Sequence, residues 1–320
     1  MTIFLISFVG VGALLAGIAA QRWSAAARAA ARGLLITYAV IGFALVAGEL
    51  FFRFAYVDTE GRLASERWVE RYWQTNTLGF RDREWIPTDW AAKTTVVIVG
   101  DSFAAGWGVE DPADRFGDVL GARLGDGYAV INLGLPGTST PEQLETLRAF
   151  PLEYPDIVIL QYFLNDIEYA ALTLGLGIDI PQPPRLLRES YLGNFIYARF
   201  TAGFQPDYWS WQYGMYDRAD VWAVHRAELE AFADHVESIG AQLIVVIFPN
   251  LQDPVGSIAY VDRVAAVFEG RGHDAVLKLF DAAAAWPREE LIVSERDGHA
   301  SAAFHRYVGE RLYADFFAGQ

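Results

Sequence analysis

Five short runs of β-branched and aliphatic residues alternate with amphipathic helical patterns between residues 94 and 317, and nothing else in the 320-residue chain constrains its fold as strongly. Strands are expected at 94–100, 128–132, 156–163, 242–248 and near 275–280, and helices at about 113–124, 141–149, 217–239, 258–270 and 301–317. Strands joined through helices are crossover units, which build a parallel sheet with helices on both faces. The expected class is therefore α/β, a three-layer α/β/α arrangement with a mostly parallel sheet. In such sheets the active crevice lies beyond the carboxyl ends of the strands.

The polar signals of this region all fall at those ends. The first strand runs into "GDSFAAG", which delivers Ser102 to its tip ahead of the small residues Ala104, Ala105 and Gly106. Taken alone, such a serine equally well caps a loop. The second strand ends in "NLGLPGTST", with Asn132, Gly134 and Gly137, the last at a place where a backbone N–H can be exposed. The third ends in "FLND", where the amide of Asn165 can donate into the crevice and Asp166 follows it. The loop before the final helix, "ERDGHASAAF", carries Asp297 and His299.

Those four pieces, in that order, resemble the SGNH (GDSL-type) serine hydrolase family over roughly residues 94–317. The segment "TNTLGFRDREW" ahead of "GDSF" is similar to a membrane-anchored bacterial branch that includes envelope O-acetyl esterases and O-acyltransferases. The resemblance implies a flavodoxin-like sheet and a serine nucleophile at Ser102. It further implies His299 as base, Asp297 as its orienting acid, and oxyanion donors at Ser102, Gly137 and Asn165. Two departures stand out: Phe163 occupies a position where the family often has glycine, and one residue, Gly298, separates Asp297 from His299 where two are usual. The first change narrows the acyl pocket, and the second bears on how Asp297 orients the imidazole.

The chemistry asks for the same residue types. A serine hydroxyl is a weak nucleophile and needs an adjacent base, and an imidazole with an ordinary pKa of about 6.5 is suited to that task at neutral pH. The developing alkoxide needs fixed donors, each worth about 3–4 kcal/mol of barrier. His225, His235, His273 and His305 are the rivals of His299, but none stands just before a helix with an acid two residues away. No pattern of metal-ligand spacing is evident, so neither a metal nor a cofactor is expected. Forty acidic against 25 basic residues give a net charge of −15, which argues against nucleic acid as a partner. Zero cysteines exclude disulfides and a thiol nucleophile.

Ahead of this domain lie two uncharged or nearly uncharged stretches, 3–20 and 34–52, the second interrupted only by Glu49. They are expected to be two transmembrane helices forming a membrane anchor over residues 1–53. Their connecting loop, 21–33, holds Arg22, Arg28 and Arg32 and no acid, which places it in the cytoplasm and everything after about residue 53 outside. A buried core hairpin and, for the first span, a cleaved signal peptide are the competing readings. Residues 54–92 form a connecting segment and 93–320 the hydrolase domain, with an insertion at 167–216. Within the insertion, residues 191–216 hold ten aromatic side chains in 26 positions, including Tyr208, Trp209, Trp211 and Tyr213. They read either as a lid packed on the sheet or the membrane surface, or as a sugar-stacking platform.

Three functions fit these observations. One is an esterase acting on acyl, including acetyl, esters of an extracytoplasmic glycan or lipid. A second is an O-acyltransferase, which needs a multi-span partner to bring the acyl donor across the membrane. The third is a catalytically silent binding module. A transferase must hold an acceptor and keep water out. The chain by itself is therefore expected to be a hydrolase.

Overall fold

The computed structural model describes residues 10–14, 16–17, 19, 24–201, 207–271 and 275–319. In chain order the helices are α1 (Ala25–Phe54), α2 (Arg62–Tyr72), α3 (Ser102–Ala105), α4 (Phe116–Leu124), α5 (Thr140–Ala149), α6 (Ile167–Thr173) and α7 (Arg185–Arg188). They continue with α8 (Tyr191–Thr201), α9 (Tyr208–Asp217), α10 (Ala219–Ser238), α11 (Ile258–Glu269), α12 (Phe280–Ala285), α13 (Arg288–Leu291) and α14 (Ala302–Phe316). The strands are β1 (Thr94–Val99), β2 (Tyr128–Asn132), β3 (Ile157–Phe163), β4 (Gln242–Phe248) and β5 (Val276–Lys278). The chain divides into two compact units, one of Met1–Arg71 with Ile180–Gln205 and the other of Tyr72–Asp179 with Pro206–Gln320.

The larger unit is an α/β fold whose five strands are all parallel, in the order β2-β1-β3-β4-β5. Alternation along each strand sends side chains to both faces. Val97, Val99, Val158, Leu160, Val245 and Ile247 face a core shared with Leu144 of α5, Phe232 of α10 and Val264 of α11. Val96, Ile98, Ile159, Ile244 and Val246 face Phe116 and Leu120 of α4 and Phe304 and Val308 of α14. Burial on both faces is why these strands read as continuous apolar runs. The sheet order puts β1 between β2 and β3, so the carboxyl ends of these three strands adjoin.

In the smaller unit α1 is 30 residues long with a mean hydropathy of 2.1 over its most apolar 18-residue window, long and apolar enough to cross a membrane. It is the single such helix among the described residues. The span at 3–20 lies largely outside the described residues, as does His273. The cytoplasmic loop expected at 21–33 is corrected from residue 25 onward, where the chain is already helical. The physical cause is the sequence "AAARAAAR", residues 25–32, in which alanine and arginine are strong helix formers. Ser24 Oγ starts the helix by accepting from Ala27 N at 3.2 Å.

His305 is buried at the junction of α14 with α4, where its Nδ1 accepts from Phe116 N at 3.3 Å and its ring stacks on that of Phe116. Burial, reinforced by the Arg115 charge, lowers its pKa from 6.5 to about 3. Because the folded value lies below the unfolded one, the stability this neutral imidazole confers is present above about pH 6.5 and is lost as pH falls toward 3. Between pH 7 and pH 5 the loss amounts to about 2 kcal/mol. His305→Asn keeps an acceptor for Phe116 N but removes the titration. Urea unfolding at the two pH values should show wild type losing about 2 kcal/mol more than the variant. Equal losses would show that His305 does not carry this part of the acid sensitivity.

Candidate active site

Ser102 opens α3 directly after β1, and the turn that presents it is held from below. Asp101 caps α3, its Oδ1 accepting from Phe103 N at 2.8 Å. The side chain of Gln161, pointing from the middle of β3, accepts from Asp101 N at 3.0 Å and from Ala104 N at 2.9 Å. Gly100 makes this approach feasible: a Cβ there would stand 2.3 Å from Gln161 Oε1. Beyond α3, the loop Gly106–Glu110 is fastened by the buried guanidinium of Arg81, which donates to the carbonyls of Gly106 at 2.6 Å and Val109 at 2.7 Å. Asp82 in turn accepts from Asn132 N at 2.9 Å and pairs with the buried Arg115 at 3.8 Å. The connecting segment "RDREW" therefore braces the serine turn and the end of β2.

His299 Nε2 stands 2.8 Å from Ser102 Oγ, and its Nδ1 stands 2.5 Å from Asp297 Oδ1. With Nδ1–H donating its hydrogen bond to Asp297 Oδ1, Nε2 is left to accept the serine proton. The one-residue spacing of Asp297 and His299 works because the loop is compact. Asp297 Oδ1 also accepts from His299 N at 3.0 Å, Ser294 Oγ accepts from Asp297 N at 3.0 Å, and Val293 N donates to His299 O at 2.9 Å. Asp297 is buried, whereas the His299 side chain is 28% exposed and so within reach of a ligand. The rival His225 is buried in α10, its Nε2 2.7 Å from Tyr162 Oη and its Nδ1 2.9 Å from Glu228. Burial lowers its pKa.

Gly137 lies exposed in the turn after β2, with φ at +75°, a conformation in which glycine alone is unstrained. Its N–H and that of Ser102 make no hydrogen bond among the described residues. Asn165 is half-buried after β3, its Oδ1 turned inward without a partner, as is the Oδ2 of the buried Asp101 carboxyl. Burial pushes that carboxyl up, against the opposing pull of Phe103 N–H and the His299 charge. The two donor-bearing turns are tied to one another. Asp166 accepts from Thr140 Oγ1 at 2.8 Å and from Gln143 Nε2 at 3.3 Å, and Gln143 also donates to Thr138 O at 3.2 Å. Burial, with the neighbouring Asp101 charge, raises the Asp166 pKa well above the ordinary carboxylate value.

Phe163 fills the wall beside the serine turn, its ring 4.3 Å from that of Phe103 and 5.6 Å from that of Trp209 in α9. The ring of Phe103 lies 5.1 Å from that of His299. In α9, Tyr213 stacks on Tyr260 at 4.6 Å and Tyr216 is fully buried, so this half of the aromatic insertion packs on the sheet unit. Among the described residues no group of three His, Cys, Asp or Glu side chains is arranged to hold a metal ion.

Gln161, Arg81 and the Asp166 pair with Thr140 and Gln143 are missed by motif reasoning. A glutamine inside the otherwise apolar run "IVILQYF" is the one signal that points to any of them. Gln161→Leu keeps the volume but leaves Asp101 N–H and Ala104 N–H buried and unpaired. Unfolding free energy should fall by about 2–5 kcal/mol, and kcat for an activated ester by up to about 100-fold. Unchanged stability and kcat would show that the serine turn holds itself.

Residues 98–307 match the model of the GDSL-like Lipase/Acylhydrolase family. Among solved structures, TesA shares 16% identity, covering 70% of this chain and 98% of that one at a TM-score of 0.45. A lipolytic protein of the G-D-S-L family from Desulfitobacterium hafniense DCB-2 shares 18%, covering 69% and 99% at 0.43. A carbohydrate acetylesterase family member from Sinorhizobium meliloti shares 15%, covering 69% and 96% at 0.41. No curated protein matches the sequence.

Proposed function

The chain belongs to the GDSL-like lipase/acylhydrolase family and is a carboxylic ester hydrolase, and from that premise we propose that it works through an acyl-enzyme on Ser102. The observation that carries this reading is the relay of 2.8 Å from Ser102 Oγ to His299 Nε2 and 2.5 Å from His299 Nδ1 to Asp297. His299 takes the serine proton as Oγ attacks the ester carbonyl. The oxyanion that forms is met by the N–H groups of Ser102 and Gly137 and by the Asn165 amide. Collapse breaks the ester C–O bond, His299 protonates the departing alcohol, and the acyl group stays on Ser102. Water, giving its proton to His299, then releases the carboxylic acid and restores the serine. Asp297 keeps the imidazole in the tautomer that both halves need.

The acyl group is small, acetyl first among candidates, because Phe163 closes the side of the site where a smaller residue would leave room for a chain. The alcohol is a hydroxyl of an envelope glycan or lipid. α1 anchors the chain in the membrane: Arg28 and Arg32 stand at its N-terminal end, which the positive-inside rule assigns to the cytoplasm, so the sheet unit works outside. Water is the acceptor, and acyl transfer to a sugar would call for a multi-span partner carrying the donor.

Turnover of a p-nitrophenyl ester series tests this function. Wild type should hydrolyse acetate well and octanoate poorly, while Ser102→Ala should lose activity by at least about 10³-fold and escape labelling by a serine-directed phosphonate. Ser102→Ala retaining either turnover or labelling would overturn the nucleophile, and octanoate outpacing acetate would overturn the small acyl pocket.

A further inference from the structure

Resting on the reading of α1 as a membrane anchor, we propose that α8 is an interfacial helix whose apolar ridge is embedded in the acyl chains of the leaflet that α1 leaves. The first observation concerns Glu49, the one charged residue between Arg32 and Arg53 in α1. A carboxylate at this depth is costly unless it is paired. It accepts from Ser190 Oγ at 2.7 Å, Tyr191 N at 3.2 Å and Leu192 N at 3.0 Å, and so caps the first turn of α8 with a side chain from another helix. Arg53 follows Glu49 by four helical steps, so α8 begins about 6 Å below the level of that arginine along the axis of α1. That is the depth at which interfacial helices lie, about 5–10 Å into the headgroup–acyl boundary.

The second observation is what α8 shows on its surface. Leu192 packs where a Cβ on Gly48 would stand, and Phe195 stacks on Phe52 at 4.2 Å, which fixes α8 against the end of α1. From Leu192 the i,i+4 row continues to Ile196 and to Phe200, which is 76% exposed. On α1, Leu50, Phe51 and Phe54 are exposed as well, so the end of α1 that α8 contacts is itself apolar on its surface. The guanidinium groups of Arg53 and Arg199 lie over the rings of Tyr191 and Phe195, at 5.4 Å and 4.5 Å, the pairing of cation and aromatic ring that suits the headgroup layer. A helix capped by a membrane-buried carboxylate, with its apolar row continuing outward from that contact, has the hydrocarbon edge as its occupant.

The absence of cysteine from the chain permits a clean test. Single variants Ile196→Cys, Phe200→Cys and, in the middle of α1, Phe43→Cys are labelled with the environment-sensitive dye NBD in the full-length chain. Each is checked for an unchanged thermal transition, then reconstituted into phosphatidylcholine vesicles with and without doxyl-labelled lipid. Labels at 196 and 200 should be quenched about twofold or more by lipid carrying doxyl near the headgroup end of the chain, and the label at 43 by lipid carrying it near the chain terminus. Quenching at 43 without quenching at 196 and 200 would overturn the interfacial helix and point to a protein covering it, with the anchor intact. No quenching at any position would overturn the anchor and the interfacial helix together.

Discussion

A serine hydroxyl can serve as a nucleophile only if the turn that carries it does not move, and here one buried acceptor, Gln161 Oε1, ties that turn to the sheet. Gln161 Oε1 takes hydrogen bonds from Asp101 N and Ala104 N, which bracket Ser102 on both sides. The acceptor sits on β3, the strand paired with β1, so the position of the serine is tied directly to the sheet. Every other part of the site is placed relative to this point. The turn after β2 and the turn after β3 flank it, joined through Thr140, Gln143 and Asp166. The loop of His299 closes against it from the far end of the chain.

The sheet was legible in the sequence because strands buried on both faces must be apolar along their whole length, and such runs bounded by glycine or polar residues have few other readings. Ser102, His299 and Asp297 were singled out in the sequence because "GDSF" follows a strand and "DGH" precedes the last helix, in the order of the family the chain belongs to. Gln161 and Arg81 were not read as functional, since most of their bonds go to backbone groups 24 to 60 residues away that no local pattern encodes. The start of α1 was misread for a different reason. Arginines suggested a loop, but long side chains are tolerated in a helix whose remaining residues are alanine, and intrinsic propensity prevails over charge there.

The aromatic insertion shows a limit of reading by composition. Residues 191–216 look like one aromatic run, yet they belong to two compact units: α8 goes with the N-terminal helices and α9 with the sheet. The two parts answer different demands. In α9 the rings fill space over β3, with Trp209 against Phe163 and Tyr216 buried. In α8 they pair with the end of an apolar helix and with arginines. Composition records only the count of rings, whereas the contact partners decide whether a ring belongs to a core or to a membrane edge.

The account depends on a covalent bond between substrate and Ser102, and the most direct measurement is to trap it. A rapid acid quench of the full-length enzyme turning over an activated acetyl ester, followed by peptide mass spectrometry, should find the mass of one acetyl group on the peptide holding Ser102. The modification should be absent from Ser102→Ala. Steady turnover of wild type with no acylated Ser102 peptide, under conditions where deacylation is rate-limiting, would contradict the mechanism.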